Sequence, residues 1–85
     1  MAAYSVLITR SAEKEIERLP AGIRRLVVRR ILALAVDPRP HGSEKLAGED
    51  KYRIRQQAYR VVYAIEDALV TVTVVRVAHR CDVYR

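Results

Sequence analysis

Apolar residues recur at two different periods along this chain, and the change between them falls near Lys51. At the start, Tyr4-Ser5-Val6-Leu7-Ile8-Thr9 is short and rich in β-branched and aromatic residues, and it reads as a first strand. Ser11 is placed to cap a helix running to about Leu19, with Glu13 and Glu15 near its positive end. Ala12, Ile16 and Leu19, at i, i+4 and i+7, form the stripe that helix would bury. Pro20-Ala21-Gly22 interrupts the pattern, so the spacing predicts two helices rather than one. The second runs from about Ala21 to Val36. Its apolar stripe is Ile23, Val27, Ile31 and Leu34, widened by Leu26, and Arg24, Arg25 and Arg29 lie towards the other side. The breaker cluster Asp37-Pro38-Arg39-Pro40-His41-Gly42-Ser43 then predicts a loop.

Beyond Lys51 the period is two. It predicts strands at about 52–56, 59–66 and 69–77, then a loop and a short extended end at Val83-Tyr84. The expected fold is therefore α+β, with the order β-α-α-β-β-β in one domain spanning residues 1–85. A two-helix hairpin packs on one face of a mainly antiparallel four-stranded sheet.

Strand parity sorts the arginines. With Gln57-Ala58 and Asp67-Ala68 as two-residue turns, one face collects Tyr52, Ile54, Val61, Tyr63, Ile65, Val70, Val72 and Val74. That apolar face must meet the helices. The opposite face collects Arg53, Arg55, Arg60, Val62, Ala64, Thr71, Thr73 and Val75. Four-residue loops would keep this division, and three-residue loops would not. In this register Arg55 lies directly across from Arg60, with Arg53 on the same face. Like charges opposed across strands destabilise a sheet by about 0.2–1 kcal/mol, and nothing in the fold asks for them. A solvated basic face is the bland reading. Three arginine forks above Ala64, Thr71 and Thr73 instead suggest a phosphate-sized recess.

Composition sharpens this picture. The chain has 85 residues, 16 Lys+Arg against 10 Asp+Glu, and a formal net charge of +6. Thirteen of the basic residues are Arg, whose planar fork suits phosphate better than the point charge of Lys. An isoelectric point near 10.0 points to a polyanionic partner, nucleic acid or an acidic protein. The excess is denser after residue 50. Cys81 is the only cysteine, which excludes a disulfide scaffold. No apolar run approaches the ~20 residues of a membrane span, and no signal-peptide pattern shows. These features predict a cytoplasmic protein that does not engage membranes, with modest stability, since so small a domain buries only about 60–65% of its unfolded surface.

Three stretches together resemble the RelE toxins of the RelE/ParE superfamily. The first is the hairpin Tyr52-Arg53-Ile54-Arg55 with Tyr59-Arg60-Val61-Val62-Tyr63. The second is the ending His79-Arg80 with Val83-Tyr84-Arg85. The third is the middle, Leu19-Pro20, Asp37-Pro38-Arg39-Pro40-His41-Gly42 and Lys45-Leu46-Ala47-Gly48. The resemblance covers nearly the whole chain. It implies the toxin of a type II toxin–antitoxin pair, monomeric when alone, whose partners are an acidic antitoxin, the 70S ribosome and mRNA. The implied activity is a ribosome-dependent, metal-independent endoribonuclease without cofactors. It cuts mRNA in the A site by attack of a ribose 2′-OH on the adjacent phosphate.

By matching position, the resemblance makes Arg60 the stabiliser of the phosphate and Arg80 the general acid for the leaving oxygen. Tyr84 falls where a Tyr stacks on or orients the base. Arg53 and Arg55 fall where the better-known pattern has two Lys, one of them proposed as general base. Arg stays protonated and is a poor proton acceptor, so either Arg55 acts electrostatically or His79 or Tyr84 takes the proton. His79 is chemically the better acceptor, and a loop role capping backbone weighs equally. Gln57-Ala58 also replaces the Gly usual at the hairpin tip.

Lys51, Arg24, Arg25, Arg29 and Arg30 are candidate RNA contacts, although a solvated helix face is the commoner meaning of such a run. Cys81 reads as inert and His41 as loop surface, while Tyr52, Tyr59 and Tyr63 fall on the core face. Two alternatives stand beside the ribonuclease: a ParE-type gyrase inhibitor, which shares the fold, and a catalytically weak remnant that binds only its antitoxin. The set Arg60, Arg80 and Tyr84 favours the ribonuclease.

Overall fold

Thr9 ends the first strand and begins the first helix. In the computed structural model, which describes residues 3–48 and 50–79, β1 spans Ser5–Ile8 and α1 spans Arg10–Glu17. The Thr9 hydroxyl accepts a hydrogen bond from the Ala12 amide at 3.2 Å. The cap therefore sits at Thr9, and Ser11 lies inside the first turn. The cause is strand pairing: Thr9 N–H donates to the Val74 carbonyl at 2.9 Å, which holds Thr9 in the extended backbone a cap requires. The second helix, α2, spans Ala21–Ala33. Leu34, Ala35 and Val36 continue it only as tight turns, their amides donating to the carbonyls three residues back.

Among the described residues the sheet has five strands. β2 (Glu44–Lys45), β3 (Lys51–Gln56), β4 (Tyr59–Glu66) and β5 (Thr71–His79) join β1 in the order β1-β5-β4-β3-β2. β1 runs parallel to β5, and all other pairs are antiparallel. The fifth strand beyond the expected four is β2, whose two residues are too few for any periodicity to reveal. Among the described residues, no helix is long and apolar enough to cross a membrane.

Both helices cover one face. Ala12, Ile16, Leu19, Val27, Ile31 and Leu34 meet Ile54, Val61, Tyr63, Val72, Val74 and Val77 in one buried cluster, with Tyr52, Tyr59 and Ile65 packed at its margin. The apolar strand face predicted from parity is thus the core face. Its β4–β5 half arises differently from the expected two-residue turn. Asp67–Leu69 form a single 3-10 turn and Val70 takes the left-handed conformation at φ 50. Glu66 pairs with Thr71, so the loop has four residues and preserves the division. Val70 leaves the strand in consequence. A bulge between Val62 and Tyr63 then shifts the register, and Val62 pairs with Arg76. The extra residue in β5 makes Val77, after Val74, the next core side chain.

The loop after α2 is fixed to the sheet at one corner. The buried Tyr63 hydroxyl donates to the Pro38 carbonyl at 2.7 Å. Arg39 lies over the Tyr52 ring, 5.2 Å from its centroid, and its Nε donates to the Tyr52 hydroxyl at 3.2 Å. The same guanidinium grips Asp67, which also accepts from the Tyr4 hydroxyl at 2.7 Å. The Pro-Arg-Pro run is accordingly a structural anchor.

Candidate nucleic-acid interface

The β3–β4 hairpin turns at Gln57-Ala58, with Gln57 at φ 56. A non-glycine residue tolerates this conformation at some cost, and here a regular ladder on both sides holds it. Gln56 pairs with Tyr59 and Arg55 with Arg60, the register parity predicted. Arg53, opposite Val62, shares the face.

That face is not the open basic surface expected. Arg53 is 8% exposed, Arg60 9% and Val62 6%. For Arg53 the cause is β2: Glu44 pairs with it across the ladder, and the Glu44 carboxylate accepts from its guanidinium at 2.6 Å. A buried cation needs such a partner. Arg53 is therefore committed to holding the sheet edge. Arg60 and Val62 lie on β4, the middle strand of five, flanked by β3 and β5. Arg55 is exposed, and its carbonyl accepts from the Arg30 guanidinium at 3.5 Å. This long contact brings the last turn of α2 to the end of β3. Arg55 and Arg60 thus stand opposite each other at the hairpin end of the sheet, and Arg30 reaches the Arg55 backbone from α2.

The other sequence candidates are placed elsewhere. Lys51 is half-buried opposite Ala64, at the far end of β3. Arg24, Arg25 and Arg29 are exposed on α2. Arg24 donates to the Glu17 carbonyl at 3.3 Å, tying α2 back to α1, and with Arg25, Ala21 and Val28 it lines a shallow cleft of about 330 Å³. His79 ends β5 opposite Tyr59, and the two rings meet edge to face at 5.5 Å. Tyr59 packs against the helix-side core, so the His79 ring is on that side of the sheet. The neighbour of Arg60 in the ladder is Ala78. The structure does not bring His79 together with Arg55 and Arg60. Arg80, Cys81, Val83, Tyr84 and Arg85 lie outside the described residues.

His79 instead borders a cleft of about 460 Å³ with Glu15, Arg18, Leu19, Tyr59, Arg76, Val77 and Ala78. Glu15 is the residue that sequence reasoning places only among helix-dipole acids. Its carboxylate accepts from the Val77 amide at 2.7 Å. The signal was its spacing: three residues after Ala12, it shares the helix face whose smallest side chain lets α1 approach β5.

Charge perturbation concentrates at the anchored corner. Burial, above all, pushes the Tyr63 phenol up to about 12. The Arg39 guanidinium, then the Tyr4 hydroxyl, hold the Asp67 carboxyl below its ordinary value. Tyr4 is raised in turn, chiefly by its hydrogen bond to Asp67.

Comparison with known proteins gives a consistent result. The family described as the ParE toxin of type II toxin–antitoxin system, parDE, matches residues 6–84. Toxin RelG of Mycobacterium tuberculosis (strain ATCC 25618 / H37Rv) is 35% identical over 86 residues, covering 96% of this chain and 97% of that protein. A chain of the toxin–antitoxin complex RelBE2 from Mycobacterium tuberculosis superposes with a TM-score of 0.84 at 32% identity, over 96% of this chain and 97% of that one. A chain of the intact E. coli RelBE toxin–antitoxin complex gives 0.80 at 30% identity, over 91% and 96%.

Proposed function

Since the chain belongs to the ParE toxin family of type II toxin–antitoxin systems, within the RelE/ParE superfamily, we propose that it is a ribosome-dependent endoribonuclease cutting mRNA in the A site. The observation that carries this reading is Arg55 set directly opposite Arg60 at the hairpin end, in a chain whose relatives include RelE-type toxins. Opposed cations cost a sheet stability, and together they suit an anion laid across them. A phosphodiester supplies that anion.

In the proposed reaction the ribose 2′-OH attacks the adjacent phosphorus in line. The bond from phosphorus to the 5′-oxygen breaks, leaving a 2′,3′-cyclic phosphate and a 5′-hydroxyl. Arg60, anchored in the middle strand, stabilises the charge that grows on the phosphoryl oxygens. Arg55 adds a mobile positive charge from the exposed side. Arg80 protonates the leaving 5′-oxygen, and Tyr84 orients the base. Arg53 acts indirectly, through Glu44 and the sheet edge. With His79 on the helix side, the 2′-OH proton goes to Tyr84 in its phenolate form or to water aligned by the arginines. Lys51, Arg24, Arg25, Arg29 and Arg30 lend positive charge towards ribosomal RNA.

The partner in this reading is an acidic antitoxin. Support comes from the net charge of +6 and from the similar chains, which come from complexes with antitoxins. One observation favours a second reading, poisoning of DNA gyrase: the matching family is described by its ParE members. Induced expression without antitoxin separates the two. The ribonuclease arrests translation and leaves mRNAs cut within codons. The gyrase inhibitor leaves mRNA intact and causes DNA breaks with an SOS response. Normal growth with soluble protein accumulating leaves the antitoxin-binding remnant.

A further inference from the structure

β5 is not held equally on its two sides. Along one edge β4 pairs with it to the end, Tyr59 against His79. Along the other, β1 accompanies it only from Thr71 to Val74, and the chain then turns at Thr9 into α1. Among the described residues, two α1-side contacts replace the missing strand. The Thr9 hydroxyl donates weakly to the Val75 carbonyl at 3.5 Å. Glu15 then accepts from the Val77 amide at 2.7 Å, a short bond to an ionised acceptor and so among the stronger kinds. The second carboxylate oxygen stands 3.4 Å from Arg76 Nε, near enough for attraction between charges but not aligned as a hydrogen bond.

This contact falls where β5 most needs it. The bulge between Val62 and Tyr63 interrupts the β4 ladder just before the last four residues of β5. Burial of the Val77 side chain, 1% exposed, selects the register of that segment. It does not stop the outer edge from splaying, because the Val77 amide faces away from β4. Ala12, fully buried, seats α1 against β5, and Glu15 one turn later reaches the edge.

We propose that Glu15 is a positioning residue: by bonding the Val77 amide it stands in for an absent neighbouring strand and fixes the end of β5, from which the chain continues into Arg80 and Tyr84. The proposal rests on the reading of that terminal run as part of the active machinery. Glu15 touches no reacting group. It acts through the backbone, so what it contributes is alignment, and a misplacement of about 1 Å costs a reaction roughly a hundredfold.

The experiment compares the full-length wild-type chain with Glu15→Ala and Glu15→Gln. Steady-state cleavage of ribosome-bound mRNA, giving kcat and KM, is read alongside hydrogen exchange at the Val77 amide and the thermal midpoint. The expected result is a roughly ten- to hundredfold loss of kcat in Glu15→Ala at nearly unchanged KM. Faster Val77 exchange accompanies it, and both recover substantially in Glu15→Gln, whose side-chain carbonyl still accepts from Val77. Unchanged Val77 exchange in Glu15→Ala overturns the proposal, as does unchanged kcat. Equal impairment of Glu15→Gln and Glu15→Ala overturns it too, because charge rather than the backbone bond is then the cause. Should Glu15→Ala fail to fold, Glu15→Gln against wild type decides, with retained cleavage and Val77 protection as the supporting result. A wild-type protein that cuts no RNA defeats the ribonuclease reading separately. Growth arrest by the same variants is then the deciding measurement. Loss in Glu15→Ala with recovery in Glu15→Gln sustains the positioning role, and undiminished arrest by Glu15→Ala overturns it.

Discussion

Arg39 grips Asp67 with both arms of its guanidinium, NH1 to Oδ1 at 3.3 Å and NH2 to Oδ2 at 2.9 Å, linking the loop after α2 to the turn before β5. Both side chains remain about half exposed, so the pair contributes geometry more than energy. Its pH dependence follows from the sign of the shift. The Asp67 carboxyl is held below its ordinary value of 3.8, first by Arg39 and then by Tyr4. Its contribution is present above the unfolded-state value and is lost as pH falls through the lower folded value. Asp67→Asn should therefore lower the thermal midpoint at neutral pH, with the difference from wild type closing in acid. A difference that stays constant down to strongly acidic pH contradicts the assignment.

At the same corner, Tyr63 provides an alkaline counterpart. Its phenol is pushed up to about 12 from 10.0, by burial first, and its hydroxyl donates to Pro38. The stabilisation is complete below the unfolded value and is lost as pH rises towards the folded one. A spectroscopic titration of phenolate absorbance should show one of the five tyrosines ionising last, together with unfolding. Tyr63→Phe should remove that phase. It should also cost about 1–3 kcal/mol in denaturant unfolding, because the Pro38 carbonyl loses its donor.

Glu44 supports Arg53 from an edge strand of only two residues. Glu44→Ala should destabilise the fold by about 1.5–3 kcal/mol, the usual worth of a hydrogen bond to a charged group. Residual cleavage should track the folded fraction, because Arg53 serves the sheet. A loss of kcat in fully folded Glu44→Ala would put Arg53 in direct contact with substrate instead.

For the chemistry, Arg60→Ala and Arg80→Ala should each cost about 3–4 kcal/mol of transition-state stabilisation, the usual effect of deleting one preorganised donor. His79→Ala should leave the shape of the pH–rate profile unchanged, given the His79 ring against Tyr59 on the helix side. A flattened profile near neutrality would make His79 the base after all. Tyr84→Phe should impair cleavage strongly if the Tyr84 phenolate takes the 2′-OH proton and weakly if Tyr84 only stacks. Arg55→Lys tests whether the arginine here is a compromised base: faster cleavage says it is, and unchanged cleavage assigns it an electrostatic role.

The hairpin is readable from sequence because parity is a strict rule: once Gln57-Ala58 forms the turn, Arg55 must oppose Arg60. The core face follows for the same reason. Even the unexpected β4–β5 turn preserves it, since two-residue and four-residue loops share a parity. What stays hidden depends on tertiary context. Val70 adopts a left-handed backbone that its own side chain disfavours. Nothing in the run Thr71 to Val77 marks where a bulge will fall. Thr9 outcompetes Ser11 as the cap because pairing with Val74 extends it. The burial of Arg53 is invisible because Glu44 belongs to a strand without a pattern. Arg80 and Tyr84, central to the family resemblance, lie beyond the residues on which geometry bears.

The parallel pairing of β1 with β5 joins Ser5 to Thr71, residues far apart along the chain. Contacts of such long sequence separation form late, because a large loop must close before they contribute. During synthesis β1 must wait until β5 has left the ribosome before its neighbour among the described strands exists. A chain arrested before β5 leaves β1 unpartnered and lacks Val72, Val74 and Val77 from the core. The molecule's order of synthesis thus delays the assembly of a toxin's fold until the polypeptide has been made through β5.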